Sequence, residues 1–274
     1  AVPGRAPADD HPRQLAHRLA DGRRAEQAPH RRDRDPREKL FGFGRCVVNF
    51  AVDDSEVRMC TELKGKASWF LPFNKGYNDG AGNPPNEHGL KTDYLWKEVL
   101  TPSGLTNILE NYAQIIEIKS EKTGRKKGVQ IFPRYHQLGV VRKALADVHD
   151  NGAGKRYLIQ HSAGSGKSNT IAWLTHRLAS LHDTANRRVF DSVIVVTDRI
   201  VLDQQLQDTI YQFEHKRGVV QQIDEHSGQL AEALENAVPI IITTLQKFPF
   251  VSKQLIKMAE KRGETSTGTL TTRR

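Results

Sequence analysis

The sequence predicts an α/β fold: a parallel sheet with helices on both faces. Three observations predict it. Two short runs, SVIVVT (residues 192–197) and PIIITT (residues 239–244), are continuously apolar rather than alternating, as strands covered on both faces are. Stretches with helical spacing of apolar residues lie between them. A glycine-rich turn, HSAGSGKS (residues 161–168), stands between another apolar run and a helical pattern, an order characteristic of α/β units.

The elements follow in order. Residues 1–36, rich in Arg, Ala, Asp, His and Pro, can bury almost nothing and are expected to be disordered or non-native sequence. CVVNFAVD (residues 46–53) alternates as a strand does, and EVRMCTELKG (residues 56–65) answers it across a turn, which predicts a hairpin. A Gly, Asn and Pro-rich segment over residues 70–89 reads as a long loop. Helices are expected over residues 93–100 and from Ser103, as N-cap, to residue 113, before the basic turn SEKTGRKKG. The α/β rhythm then gives a helix over residues 133–150 with Val140, Val141, Ala144, Leu145 and Val148 on one face. A strand RYLIQH (residues 156–161) and a helix over residues 168–181 follow. After SVIVVT come helices over residues 198–212 and 229–236, then PIIITT, and the polar end is expected to be disordered. The resulting organisation is residues 1–36 without a fold, 37–120 as a first part, 121–252 as an α/β domain and 253–274 as a tail.

Composition narrows the function classes. The 274 residues carry 41 basic and 32 acidic side chains, a net charge of +9, which favours a polyanionic partner or marks a solvated basic surface. No run approaches the ~18 apolar residues of a membrane span, and no signal-peptide core opens the chain. The two cysteines, Cys46 and Cys60, make neither a disulfide framework nor a C-x-x-C metal module. A cytoplasmic protein of a reducing compartment is expected, and the start at Ala1 suggests a fragment.

The sharpest chemical signal is Gly164, Ser165, Gly166, Lys167 and Ser168. Glycines let the backbone curl its N–H groups toward phosphate oxygens, and the following helix adds the positive end of its dipole. Lys167 is placed to reach the β- and γ-phosphates, and Ser168 to ligate Mg²⁺ on a bound nucleotide. The strict pattern has Gly where this chain has His161. Gln137, in IFPRYHQ, has an amide able to donate and accept at an adenine edge, or simply to sit in the buried start of a helix. Thr197 and Arg199 end one apolar strand, and Thr243 and Lys247 end the other, where open α/β sheets place ligand contacts. Those groups suit a DNA backbone, or they cap helices. Asp53, Asp54, Glu62 and Lys64 mimic a Mg²⁺-dependent nuclease set, but their place at a strand turn is explained by solvation.

With these residues in hand, the chain resembles the restriction subunit of type I restriction-modification enzymes, a superfamily 2 translocase ATPase. The likeness runs through DRDPREKLFGFGRCVVNFAVDDSEV, GAGNPPN, KTDYLW, FPRYHQ, QHSAGSGKSNT, VIVVTDRIVLDQQL and IIITTLQKF, spanning about residues 33–251. The resemblance implies a RecA-like first motor domain over residues 121–252, preceded over residues 37–120 by the tail end of an α/β nuclease domain and a linker. It implies ATP and Mg²⁺ as cofactors, with Gln137 at the adenine and Lys167 and Ser168 at the phosphates and metal. Its partners would be double-stranded DNA and the modification and specificity subunits, with no membrane. The family is a type I site-specific deoxyribonuclease, a helicase-like ATP-dependent hydrolase. Residues 1–32 lack the family's nuclease pattern, no DEAH-type box follows IIITTLQKF, and a second motor domain is missing, so an incomplete and inactive fragment is expected. The alternatives are another superfamily 2 helicase-like ATPase and a non-catalytic DNA- or partner-binding fragment.

Overall fold

A computed structural model describes residues 37–119, 124–197, 200–213, 218–223, 227–247 and 251. The expected unfolded ends, residues 1–36 and 253–274, lie outside the described residues. The chain divides into two units, Ala1–Leu138 and Gly139–Arg274. No helix among the described residues is long and apolar enough to cross a membrane.

In the first unit the predicted hairpin forms from β1 (Asn49–Val52) and β2 (Val57–Cys60), antiparallel, with Asn49 opposite Cys60 and Val52 opposite Val57. The Asp53 carboxylate closes the turn by accepting from the backbone N–H groups of Ser55 (2.6 Å) and Glu56 (2.8 Å). The long loop holds a short third strand, β3 (Leu71–Pro72), paired with β2. Its remainder is tied down by Asn83, which is buried. Asn83 accepts from Lys75 N–H and donates to the Ser55 carbonyl and to the Asn74 side chain, each at 2.8 to 2.9 Å. Phe50 and Phe73 meet edge to face, and Phe73 packs in turn on Phe132 and Tyr135, giving this unit an aromatic core with Val57, Leu95 and Ile108.

The helix expected over residues 93–100 is a single π-helical turn, Leu95–Val99. The next, α1 (Pro102–Asn111), starts earlier than Ser103 predicts, because Thr101 is the cap: its hydroxyl accepts from Gly104 N–H at 3.1 Å and Pro102 occupies the first turn. The basic turn proves to join two strands absent from the expectation, β4 (Gln114–Lys119) and β5 (Lys126–Ile131), an antiparallel ribbon. Helix α2 (Tyr135–Asn151) follows. Leu138, Val141 and Val148 are its buried apolar residues, so the expected face is shifted by part of a turn.

The second unit contains α3 (Lys167–Ala179), β6 (Val193–Thr197), α4 (Ile200–Gln212), β7 (Val220–Gln222), α5 (Ser227–Glu235) and β8 (Ile240–Thr244). The sheet is parallel, as expected, in the order β6-β8-β7. Every residue of β8 is buried between its neighbours, and Ile241 joins Ile223, Leu230, Ala233 and Val251 in one apolar cluster. Trp173 of α3 packs on Phe213, and His176 Nε2 donates to the Ile210 carbonyl at 2.9 Å, which locks α3 to α4. Two expectations fail here. RYLIQH is not a strand: residues 156–161 pair with none of the described strands, and Leu158 is 93% exposed. Nor is β6 covered on both sides, since Ile194 and Val196 are partly exposed and β6 is at the edge of the sheet among the described residues. The RecA-like sheet is therefore present only in part, as three parallel strands.

Gly104 is fixed by space. A β-carbon there would stand 2.3 Å from the Glu98 carbonyl oxygen and 2.8 Å from the Thr101 hydroxyl. Gly104→Ala should therefore destabilise the first unit by about 1–3 kcal/mol, the range of an overpacked site. Loss of the Asn83 amide in Asn83→Ala should cost about the same by stranding buried partners. Urea midpoints of both variants, with the m-value unchanged, test these expectations.

Candidate nucleotide-phosphate site

The glycine-rich turn has the backbone that a phosphate cradle needs. Gly164 and Gly166 have φ of +71° and +81°, a left-handed region open to glycine and strained for other residues. Gly166 is the N-cap of α3, so the chain passes directly from the left-handed turn into a helix of thirteen residues. The first-turn N–H groups of that helix and its dipole converge on the loop. Ser165 is buried, whereas Gly164, Gly166 and Lys167 are exposed and Ser168 is half-buried. The Lys167 ammonium donates to the carbonyl oxygens of His161 (3.2 Å) and Ser162 (3.0 Å), which holds the two sides of the turn together. An incoming phosphate would exchange those neutral acceptors for charged oxygens, which bind an ammonium more strongly. His161, the departure from the strict pattern, thus contributes only its carbonyl to this contact.

The approach to the loop is held by a residue that sequence reasoning missed. Asp147 of α2 accepts from Lys155 Nζ at 2.5 Å, from Asn151 Nδ2 at 2.8 Å and from the Tyr157 hydroxyl. These hydrogen bonds, with the charge of Lys155, hold the Asp147 carboxyl below its ordinary value, and the Tyr157 phenol is raised, first through its bond to Asp147. No local pattern announces a contact between a helix and the irregular chain that follows it.

The other predicted residues are placed as follows. Gln137 is buried at 3% exposure, and its side-chain oxygen accepts from Arg134 N–H at 2.8 Å, capping the start of α2. Burial lowers the basicity of the neighbouring Arg134 guanidinium. Thr197 and Thr243 both lie at carboxyl ends of parallel strands. In the register Thr197 stands opposite Thr244, and Thr243 opposite Val196, so the two side chains point to opposite faces of the sheet. Thr243 is 1% exposed, and neither hydroxyl has a hydrogen-bond partner among the described residues. Arg199 lies outside the described residues, and Lys247 sits in the 3₁₀ turn Leu245–Lys247.

The nuclease-like set is occupied otherwise. Asp53 closes its turn, Glu62 pairs with Lys64 at 2.8 Å and Lys127 at 3.8 Å, and no group of three metal-ligating side chains occurs among the described residues.

Residues 136–267 match the family model of the SWI2/SNF2 ATPase. No curated protein and no solved structure matches the chain. The matched stretch contains the glycine-rich turn and all three parallel strands, and it supports a superfamily 2 helicase-like ATPase segment. It does not reach the residues where the resemblance places a nuclease remnant.

Asp147→Asn should loosen the approach to the loop. Amide exchange over residues 155–161 should quicken while β8 stays protected, as read by exchange mass spectrometry. The lowered carboxyl fixes the sign with pH. The tether is intact above the ordinary value of 3.8 and is lost as pH falls through the lowered folded value.

Proposed function

We propose that residues 121–252 are the first ATP-binding motor domain of a DNA-translocating restriction subunit of the type I kind. The observation that carries the nucleotide reading is the passage of two left-handed glycines into α3, with Lys167 held at the mouth of the turn. Gly164, Ser165, Gly166 and Lys167 would bind the phosphates, and Ser168 would ligate the nucleotide's Mg²⁺. That Mg²⁺ would screen charge between the phosphate oxygens, as it does in other phosphate-loop ATPases. Gln137 is assigned to the adenine on the resemblance alone. The narrower restriction reading is supported by the ordered likeness from DRDPRE to IIITTLQKF, which includes segments upstream of the SWI2/SNF2 match. Modification and specificity subunits are the partners this reading implies.

Duplex DNA is assigned to the carboxyl ends of β6 and β8, through Thr197, Arg199, Thr243 and Lys247. Hydroxyl and basic groups there fix a phosphate backbone without reading bases. The hydroxyls of Thr197 and Thr243 are both covered in this structure, so Lys247 is the position to test.

Calorimetry should show Mg·ATP binding that Lys167→Ala weakens by at least about tenfold, the loss expected for a charge-assisted contact to phosphate. Unchanged affinity in that variant would remove the phosphate-loop assignment. Turnover should stay below about 1 s⁻¹, the low end of ordinary enzymes, because no DEAH-type box follows IIITTLQKF to hold metal and water. Supercoiled plasmid incubated with Mg²⁺ and the chain should remain supercoiled. Nicking that vanishes in Glu62→Ala would instead restore the nuclease reading of the first hairpin.

A further inference from the structure

The basic segment SEKTGRKKG belongs neither to the phosphate loop nor to the strand ends, and its last residues, Lys126, Lys127 and Gly128, begin β5. The β4–β5 register runs from Gln114 opposite Ile131 at one end to Lys119 opposite Lys126 at the other. The inner end is anchored. The buried Gln130 amide donates to the Cys46 and Val47 carbonyls at 2.6 and 2.5 Å, and the Phe43 ring lies 3.1 Å from where a β-carbon on Gly128 would stand. The outer end is therefore carried on a fixed stem rather than a free loop.

That outer end is basic and open. Arg125, Lys126 and Lys127 are exposed, the two lysine side chains at 72% and 64%. Glu62, just past β2, draws Lys64 and Lys127 to the same carboxylate, so the ribbon and the first hairpin bring their lysines together. Lys126 pairs with Glu117 across the ribbon at 2.9 Å. Pairs this exposed contribute little and exchange readily for other anions. Successive residues of a strand point to opposite faces, so Lys126 and Lys127 present charge on both sides of the ribbon. A two-stranded ribbon is of a size that the major groove of B-DNA, about 12 Å wide, admits between its phosphate walls.

We propose that the outer end of the β4–β5 ribbon is a second contact to duplex DNA, holding phosphates with Lys64, Arg125, Lys126 and Lys127. It lies in the first unit, in sequence well before the strand ends assigned above, and it rests on the reading of DNA as a partner. Being made to phosphates, the contact is indifferent to base sequence and sensitive to salt.

The test is duplex binding by the full chain across a salt series. It compares the wild type, a ribbon variant Arg125→Gln/Lys126→Gln/Lys127→Gln, and a control Lys91→Gln/Lys97→Gln/Lys143→Gln that removes equal charge from other elements. Each phosphate neutralised on duplex DNA contributes about 0.9 to the slope of log affinity against log salt, so the ribbon variant should be shallower by about 2–3. The control should keep the wild-type slope. Lys126→Gln alone, at a side chain too exposed to disturb the fold, should lower the slope by about 1. An unchanged slope in the ribbon variants, or an equal drop in the control, overturns the proposal while leaving the motor reading intact. A chain with no salt-sensitive duplex affinity at all overturns the DNA reading itself, and this contact with it. Lost heparin retention with unchanged duplex binding would assign the ribbon to a different polyanion and likewise overturn it.

Discussion

A strand with no face toward water can hold its place only if both edges are paired and both faces are apolar. β8 meets that demand: it is bonded to β6 on one side and β7 on the other, and its three isoleucines, Ile240, Ile241 and Ile242, are fully buried. Burying each such side chain is worth about 1.5–3 kcal/mol, so this strand is a large share of what makes the second unit a unit. Helix α3 lies against the same sheet, contacting β6 and β8. The glycine-rich turn is the N-terminal extension of α3, so its position is inherited from a strand that never touches it in sequence. Polar chemistry begins where apolar burial stops, at Thr243 and Thr244, the last two residues of β8.

The first unit is built on a different economy. None of its described strands is buried at every residue, and polar side chains cross-link its loops instead. Asn83 ties together residues that are far apart in sequence, and Thr92 donates to the Asp53 carbonyl at 2.8 Å. Glu98 of the π-helical turn holds both Lys75 at 2.7 Å and the Tyr135 hydroxyl at 3.1 Å, while the Lys75 ammonium lies over the rings of Tyr94 and Tyr135. Burial is the largest single influence and works against that ammonium, but the hydrogen bonds and charges of Glu98 and Tyr135 together outweigh it, and its basicity is raised. Satisfied polar networks of this kind specify one arrangement of loops where an apolar core alone would leave several.

What could be read from the sequence divides along the same line. β6, β8, α3 and the left-handed glycines were legible because each is signalled by its own residues: continuous β-branched runs, helical spacing, and Gly at the turn. The failures came where a distant partner decides. RYLIQH has the composition of a strand, but strand composition does not supply a neighbour, and Asp147 claims Tyr157 instead. β4 and β5 were hidden because their turn was read as a boundary, although Gln114 to Lys119 alternates in its own way once paired. Ser103 and Thr101 are equally good caps by type, and Pro102 between them settles the choice, since proline suits the first turn and not the residue before it. Of the candidate site, the left-handed glycine turn that leads into α3 was legible nearly to the residue. The capping use of Gln137 and the burial of Thr243 depend on packing that no motif records.

The outer edge of β6 bears on how the molecule behaves in solution. Val193, Ile194, Val195, Val196 and Thr197 include no charge and no proline, and no described strand lies along that side. Natural edge strands are usually guarded by a lysine, a proline or a bulge, because an unguarded one offers its backbone amides to any extended chain that meets it. Among the described residues β6 carries no such guard, and Tyr157, Leu158 and Ile159, which lie in no described strand, add further exposed apolar surface in the same unit. Colloidal stability therefore falls to the chain's positive charge, which keeps like molecules apart at low ionic strength and loses that effect once salt shortens its reach to about 10 Å near 0.1 M. A rise in salt is therefore expected to favour association of like molecules, with the open edge of β6 the surface best suited to it.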